Sequence, residues 1–315
     1  MSIIEKAASR IDQQRQAAAP AGLAEQDAIV SVPDNAVPAP SVHDLVAEPI
    51  AAQATIPAAE AVLQAAPTAA PRTGPRRVQL DLARMRDQGM VTAAGGRTNL
   101  LEEFRVIKRP LLKRAFAERA PGKNPGNLIM ITSSLPGEGK TYSSINLAMS
   151  IAMELDHTVL LVDADVARPS VMRTLGLPAQ RGLMDILVDD SLDVADVLLR
   201  TNVDTLAILP AGTSTPHATE LLASSAMTSL VHELANRYPD RVIIFDSPPL
   251  LLTSESRELA SHMGQIVVVV EAQTTTQHAV KEALQRLEGF DNVNLIYNKT
   301  RDLPGIEETY DYHYG

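Results

Sequence analysis

The stretch NLIMITSSLPGEGKT, residues 127 to 141, decides the fold. It begins as an apolar run typical of a buried strand and then passes through a turn of small residues and glycines. It ends on Lys140 and Thr141, which open a helical pattern. Gly137 and Gly139 can take backbone conformations closed to other residues, so successive N–H groups of the turn can point at one anion. The stretch therefore predicts a loop that cradles a polyphosphate at a helix N-terminus.

The eight-residue frame of this loop is SLPGEGKT, in which Ser134 replaces the first glycine of the usual pattern. In such loops the lysine reaches the β- and γ-phosphates and the hydroxyl after it holds Mg²⁺, which gives these roles to Lys140 and Thr141. A surface turn with a solvated lysine is the alternative. The predicted nucleotide-binding residues of this region are Ser134, Pro136, Gly137, Glu138, Gly139, Lys140, Thr141 and Tyr142.

Composition restricts the classes of protein that remain. The chain has 315 residues, 45% of them hydrophobic, but only four Phe, six Tyr and no Trp, so its core must be largely aliphatic. The absence of cysteine excludes disulfides and thiolate metal sites, and fits a reducing compartment. A net charge of −10 disfavours nonspecific binding to nucleic acid, and we expect no nucleic-acid partner. The longest apolar run, 266–270, is far shorter than the roughly 20 residues that span a bilayer.

The sequence divides into five segments. Residues 1–18 predict an amphipathic helix, which could dock on a partner, on a membrane surface or on its own domain. Residues 19–77 are rich in alanine and proline, and this composition predicts a disordered linker. A lead-in segment, 78–98, precedes the nucleotide-binding domain at 99–300, and a tyrosine-rich tail occupies 301–315.

Apolar strand-like runs alternate with amphipathic helical ones from Asn127 onwards. This alternation predicts an α/β fold of the P-loop NTPase type, with a mostly parallel twisted sheet and helices on both faces. Ligands of such sheets bind at the carboxyl ends of the strands. The predicted strands are Leu128–Thr132, Thr158–Val162, Thr205–Leu209, Arg241–Phe245, Gln265–Val270 and Val293–Tyr297, and the predicted helices include Ser143–Glu154, Ser254–His262 and Gln277–Leu287.

Carboxylates follow two of these strands. Asp163 and Asp165 leave the same side of an extended chain in TVLLVDADVARP, and Asp246 closes the run RVIIFD. An unpaired buried carboxylate is costly, so Mg²⁺ is the natural partner, although each Asp could instead cap the following turn. We assign Asp165 and Asp246 to Mg²⁺ and Asp163 to the catalytic base of phosphoryl transfer, with an exchange of roles between Asp163 and Asp165 left open.

The end of the last strand carries a weaker signal. Asn298 and Lys299 open a loop similar to the Asn-Lys-x-Asp loop of guanine-nucleotide proteins, but Arg301 stands at the fourth position. The carboxylate that would accept the N–H donors of guanine is therefore missing in this register. We expect Asn298 to contact the base and ATP to be preferred over GTP.

Three of the six tyrosines, Tyr310, Tyr312 and Tyr314, lie in the last six residues among acidic side chains. No apolar periodicity would bury them, so they are candidate phosphoacceptors, with a chance surface cluster as the alternative. They follow Asn298 by 12 to 16 residues, which gives a maximum reach of roughly 40 to 50 Å. Reaching the site of a neighbouring subunit is therefore geometrically easy.

Together these motifs resemble those of the bacterial tyrosine autokinases of exopolysaccharide loci. SSLPGEGKT resembles their Walker A motif, LLVDADVARP their additional Walker A′ motif and IIFDSPPLL their Walker B motif. The nearest resemblance is to the autokinases of exosortase, PEP-CTERM loci. It implies a deviant Walker, MinD-like branch of the P-loop fold and ATP-Mg²⁺ as the cofactor. It also implies phosphorylation of the tail tyrosines between subunits of a ring, and regulation of exopolysaccharide synthesis or export.

The resemblance also implies contacts and partners. A Glu-x-x-Arg-x-x-Arg helix contributes to ring contacts in that family, and Glu102, Arg105 and Lys108 occupy those positions here, with lysine in place of the last arginine. A separate membrane-spanning polysaccharide co-polymerase is the implied partner, and a cognate tyrosine phosphatase is another. The protein would then be cytoplasmic and peripheral at the inner face of the cell membrane, through that partner.

Two other functions compete with a kinase. A partitioning or division-site ATPase of the MinD/ParA type has a related fold but carries a signature lysine after the first loop residue, where this chain has Leu135. A scaffold that binds ATP without phosphoryl transfer would use nearly the same residues. The loop 211–222, AGTSTPHATELL, could act as a lid or tail-binding loop or simply open a helix.

Overall fold

The structure is a computed structural model that describes residues 76–93, 96 and 98–300. The predicted helix at 1–18, the linker at 19–75 and the tail tyrosines Tyr310, Tyr312 and Tyr314 lie outside the described residues. The roles assigned to them stay predictions.

Eight strands form one sheet in the order β1-β4-β5-β3-β6-β2-β7-β8. Every neighbouring pair is parallel except β4 and β5, which are antiparallel. The strands are β1 (Arg76–Arg77), β2 (Leu128–Ser133), β3 (Thr158–Asp163), β4 (Leu199–Arg200), β5 (Leu206–Leu209), β6 (Arg241–Asp246), β7 (Gln265–Glu271) and β8 (Val293–Asn298).

Ten helices of the described part cover this sheet on both faces. They are α1 (Leu82–Asp87), α2 (Asn99–Ala115), α3 (Lys140–Ala152), α4 (Val171–Thr174), α5 (Leu183–Val188), α6 (Val194–Val197), α7 (Ala218–Leu222), α8 (Ser225–Arg237), α9 (Glu255–Ser261) and α10 (Gln277–Arg286). Buried side chains of α1 to α4 pack on one face, and those of α5 to α10 pack on the other. The predicted α/β architecture is thus confirmed.

The central strand β2 shows why the sheet is buried on both sides. Leu128 and Met130 belong to the core under α5 to α10, whereas Ile129 and Ile131 belong to the core under α1 to α4. Successive side chains of a strand point to opposite faces, so an unbroken apolar run needs a helical layer on each side. The sequence does not predict β1 and β4, because a strand of two residues is too short to show an alternation of apolar and polar side chains.

The helix α2 carries the three residues predicted to contact a neighbouring subunit. The Thr98 hydroxyl accepts the Leu101 N–H at 3.2 Å and caps the helix, and Glu102 forms an ion pair with Arg105 at the surface. Lys108 is only 4% exposed. Its Nζ donates to the Ser150 carbonyl and pairs with Glu154 Oε1, both at 2.5 Å. The charge of Lys108 is therefore already paired inside its own subunit, and the predicted contact of Lys108 with a neighbouring subunit stays a prediction.

The segment before α2 belongs to the same domain. Leu80, Met85 and Met90 are buried in the core that lies under α1 to α4. The described part of the domain thus begins at Arg76, in the last two residues of the predicted linker, rather than at Asn99. Within the described residues, none of the helices combines the length and apolar character that crossing a bilayer requires.

Candidate nucleotide site

The predicted phosphate-binding loop connects the end of β2 to the start of α3. Gly137 and Gly139 have φ angles of +87° and +98°, in the left-handed region that favours glycine. Gly139 is the N-cap of α3, which begins at Lys140, three residues before the helix predicted from the sequence. The first N–H groups of a helix have no intrahelical partner, so this loop presents donors suited to an anion.

The end of β8 holds the loop in place. Asn298 Nδ2 donates to the Glu138 carbonyl at 2.8 Å, and Lys299 Nζ donates to the Gly137 carbonyl at 2.8 Å. The Glu138 carboxylate accepts the Leu135 N–H at 2.8 Å and so closes the loop from within. One N–H of Asn298 is thereby committed to the loop, and its predicted contact with the base stays a prediction.

Two carboxylates meet the residues that follow the loop. Lys140 Nζ lies 2.6 Å from Asp165 Oδ2, and both side chains are largely buried. The Thr141 hydroxyl donates to Asp246 Oδ2 at 2.7 Å, and the Ser144 hydroxyl donates to Asp246 Oδ1 at 3.0 Å. Burial raises the pKa of Asp246, and the nearby Lys140 charge opposes that shift. The structure thus brings Lys140, Thr141, Asp165 and Asp246 together, although they come from three separate segments.

Asp163 is, like Asp246, a fully buried carboxylate. It pairs with Asp246 in the register of β3 and β6. Its Oδ2 accepts the N–H groups of Ser170 and Val171 at 3.0 and 2.9 Å, whereas its Oδ1 has no described partner. Burial, and next the charge of Asp246, raise the pKa of Asp163 to about 7. The Asp163 carboxylate therefore caps the start of α4, as in the capping alternative weighed from the sequence. The same carboxyl group has the raised pKa of about 7.

The raised pKa of Asp163 predicts a pH-dependent gain in stability for Asp163→Asn in nucleotide-free, Mg²⁺-free protein. The pKa of Asp163 is about 7 in the folded protein and near 3.9 in the unfolded chain. Asp163 therefore lowers the free energy of unfolding progressively more as pH rises between these two values. Asparagine keeps an acceptor for the two N–H groups and removes the charge. We expect Tm to rise at pH 8 by about 2–4 °C for each kcal/mol relieved, and the gain to shrink at pH 5.

Thermal unfolding of wild-type and Asp163→Asn proteins at both pH values measures this difference. The exposed Asp156 supplies a matched control, and Asp156→Asn should leave Tm unchanged. An equal shift at pH 5 and pH 8 would contradict the linkage.

A cavity of about 600 Å³ opens over the loop. Of the residues predicted to bind nucleotide or metal, it is lined by Pro136, Gly137, Gly139, Lys140, Thr141, Tyr142 and Asp165. The Tyr142 hydroxyl donates to the Gly89 carbonyl at 2.5 Å, so this tyrosine also ties the lead-in segment to the site. Ser134, Glu138 and Asp246 are buried behind the cavity wall.

The cavity residues to which sequence reasoning assigned no role include Arg168, Ser170 and Arg173. Ser170 Oγ lies 2.7 Å from Thr141 Oγ1. Arg168 is part of the quoted stretch LLVDADVARP, so its basic residue beside two aspartates was an available signal. Arg173 lies within α4 and had no local signal. Two guanidinium groups suit the charge of a polyphosphate.

The donor set near Thr141 fits Mg²⁺. The hydroxyl oxygens of Thr141 and Ser170 and the carboxylates of Asp165 and Asp246 are hard oxygen ligands. Across the described residues, no three His, Cys, Asp or Glu side chains converge into a metal cage.

Comparison with known proteins decides the family. A family model described as an AAA domain matches residues 126–300, more than half of the chain. The tyrosine-protein kinase YwqD of Bacillus subtilis is 33% identical over 181 residues, which cover 57% of this chain and 72% of that protein. The chain belongs to the bacterial tyrosine-protein kinases. Its fold is that of a P-loop NTPase, and its enzyme class is protein-tyrosine kinase.

Solved structures of kinase domains resemble this kinase. The VpsO kinase domain has 30% identity and a TM-score of 0.52, covering 65% of this chain and 100% of that chain. The kinase domain of the Escherichia coli tyrosine kinase ETK has 26% identity and a TM-score of 0.55, covering 68% and 80%. The kinase spans 72 to 92% of its shorter curated relatives but only 22 to 27% of longer ones.

Proposed function

We propose that this kinase uses ATP and Mg²⁺ to phosphorylate its own C-terminal tyrosines, with the tail of one subunit entering the site of the next. The observation that carries the proposal is the convergence of Lys140, Thr141, Asp165 and Asp246 at the loop. Phosphoryl transfer needs charge neutralisation on the γ-phosphoryl oxygens and an oriented acceptor hydroxyl. Charge neutralisation would come from the loop N–H groups, from Lys140 and from the two cavity arginines, Arg168 and Arg173.

Thr141 and Asp246 are the residues that would hold Mg²⁺, with Asp165 beside them. Bound Mg²⁺ neutralises phosphate charge and fixes the orientation of the triphosphate. Lys140, now paired with Asp165, has its ammonium group at the cavity wall and can exchange that carboxylate for phosphate oxygens. In the transfer, the bond from the γ-phosphorus to the bridging oxygen breaks and a bond to the tyrosine oxygen forms.

The phenol proton needs an acceptor, and two features support Asp163 in that role. Its pKa of about 7 suits a general base near neutral pH. It also borders a second cavity of about 300 Å³, whose lining includes Ala211 and Gly212 from the predicted lid loop at 211–222. Arg173 lines both cavities. We assign the second cavity to the acceptor phenol, and Asp165 is the alternative base.

The finer biological role extends the same proposal. We infer membership of the exosortase, PEP-CTERM-locus branch from the motifs above, and with it a role in exopolysaccharide synthesis or export. The expected partners are other copies of the kinase in a ring, through the exposed pair Glu102 and Arg105, a separate membrane-spanning co-polymerase and a cognate phosphatase. The expected location is the cytoplasmic face of the membrane, and the helix at 1–18 is a candidate docking element.

Mixing two full-length variants tests transfer between subunits. A chain with Tyr310, Tyr312 and Tyr314 all changed to Phe keeps the site, whereas a Lys140→Met chain keeps the tail. We expect phosphotyrosine on the Lys140→Met chain only when both are mixed with ATP-Mg²⁺, as measured by mass spectrometry. If wild-type protein becomes labelled and the mixture does not, transfer occurs within one chain and the proposed trans arrangement is wrong.

A further inference from the structure

A third cavity, with its own chemistry, lies at the opposite end of the sheet. It has a volume of about 460 Å³ and is bordered by the first residues of β3, β5 and β6, whereas the phosphate-binding loop lies at the carboxyl ends. Four arginines from four different elements line it. We call it the arginine cavity, after Arg77, Arg200, Arg237 and Arg241.

The charge of this cavity is largely uncompensated. Arg237 pairs with Glu233 at 2.9 Å and approaches Asp193 at 3.9 Å. Among the described residues, Arg77, Arg200 and Arg241 form no ion pair. Asp204 is the one acidic residue in the lining, against four arginines. Such a concentration of positive charge is notable in a chain whose net charge is −10.

Two of the arginines are held side by side. Arg77 and Arg200 are paired residues of the parallel strands β1 and β4. Like charges on neighbouring strands are destabilising when nothing lies between them. The third, Arg241, stacks on the Tyr238 ring at 3.8 Å. Burial is the main cause that lowers its pKa, Arg237 and Arg200 lower it further, and Tyr238 and Asp240 oppose the shift. An anion in the cavity would relieve this repulsion.

Apolar side chains also line the arginine cavity. Val159, Leu206 and Leu234 are buried residues of its lining, and Leu198 is a partly buried one. Guanidinium groups together with aliphatic side chains in one lining suit a ligand with an anionic end and a flat or apolar body. The volume also lies within the usual range for small-molecule sites, roughly 300 to 1,000 Å³.

We propose that the arginine cavity binds an organic phosphate, a phosphate ester carried on a ring, of about nucleotide size. Planar guanidinium forks match phosphate oxygens, and several forks converging on one volume favour a multiply charged phosphate over a single carboxylate. The ring would contact the aliphatic side chains of the lining. Two sources share this chemistry: a free nucleotide and a phosphorylated tyrosine side chain. The site is separate from the catalytic cavity, and the proposal does not depend on kinase activity.

Calorimetric titration of the full-length protein tests the site. The protein is first loaded with one equivalent per chain of a non-hydrolysable ATP analogue and Mg²⁺, which fills the loop without leaving excess analogue to compete for the arginine cavity. AMP, free phosphotyrosine and inorganic phosphate are then titrated separately. We expect AMP or phosphotyrosine to bind one site per chain at least tenfold more tightly than inorganic phosphate. Binding of AMP alone identifies a nucleotide site, and binding of phosphotyrosine alone identifies a site for modified tyrosine. Absence of second-site binding by both, or equal binding of inorganic phosphate, overturns the proposal.

Variants locate the binding. Arg200 is exposed, so Arg200→Gln should fold normally, which thermal unfolding checks, and should weaken the bound probe at least tenfold. Arg200→Lys should recover part of the loss, because the charge remains without the fork. The exposed Arg286 on α10 is the matched control, and Arg286→Gln should leave binding unchanged. Unchanged affinity in a folded Arg200→Gln, Arg77→Gln double variant overturns the assignment.

Discussion

Replacing Lys140 with methionine is expected to lower tyrosine autophosphorylation by a factor on the order of 10² to 10³. Methionine has a similar length but no charge, so developing charge on the transferred phosphoryl group loses its nearest ammonium donor. The change also leaves Asp165 without its cation at 2.6 Å, which adds an unpaired carboxylate to the cavity wall. Initial rates of phosphotyrosine formation with ATP-Mg²⁺ measure the loss.

The matched control for this variant is Lys281→Met, because Lys281 is an exposed lysine of α10, remote from the cavity. It should keep the wild-type rate. A Lys140→Met protein that remains folded and phosphorylates at more than about a tenth of the wild-type rate would remove Lys140 from the transfer chemistry.

Gly139→Ala is expected to weaken ATP binding roughly tenfold or more. The φ of Gly139 is +98°, which is unfavourable for alanine and strains the backbone by about 1–3 kcal/mol. A loss of about 1.4 kcal/mol in binding free energy already raises Kd tenfold. The added Cβ would also lie 2.0 Å from Asn298 Nδ2, the group that donates to the Glu138 carbonyl. The substitution therefore strains the loop and displaces its support from β8 at the same time.

Gly137→Ala separates these two effects. Gly137 has a φ of +87°, but a Cβ built there meets nothing within 4 Å, so alanine brings strain without the steric conflict. Titration with a fluorescent ATP analogue should rank affinities as wild type, then Gly137→Ala, then Gly139→Ala. Adding Asn298→Ala to Gly139→Ala should recover part of the loss. Equal affinity of the two single variants, without recovery in the double variant, would exclude the Asn298 contact as a cause.

The sequence predicts the phosphate site well because its parts are local. The loop and its lysine lie in one stretch, and the aspartates follow apolar runs whose carboxyl ends must share one edge of a parallel sheet. The prediction stops where partners lie far apart in sequence. Asn298 and Glu138 meet across 160 residues, and Arg173 enters the site through the packing of α4.

Lys108 shows a different limit of sequence reasoning. Its three-residue spacing from Arg105 matches an exposed motif, but its ammonium group turns inward to Ser150 and Glu154 at the end of α3. Spacing along a helix gives the face of a side chain, and only the packing of α2 on α3 decides whether that face is covered. The sequence does not predict the arginine cavity for the same reason, since its four arginines come from separate elements that only the packing brings together.

Mass-spectrometric mapping of phosphate on purified full-length kinase incubated with ATP-Mg²⁺ tests the proposed function most directly. We predict phosphate on Tyr310, Tyr312 or Tyr314, and none on these residues in Lys140→Met or Asp163→Asn. ATP hydrolysis without any phosphotyrosine would contradict transfer to the tail and favour an ATPase switch of the partitioning type.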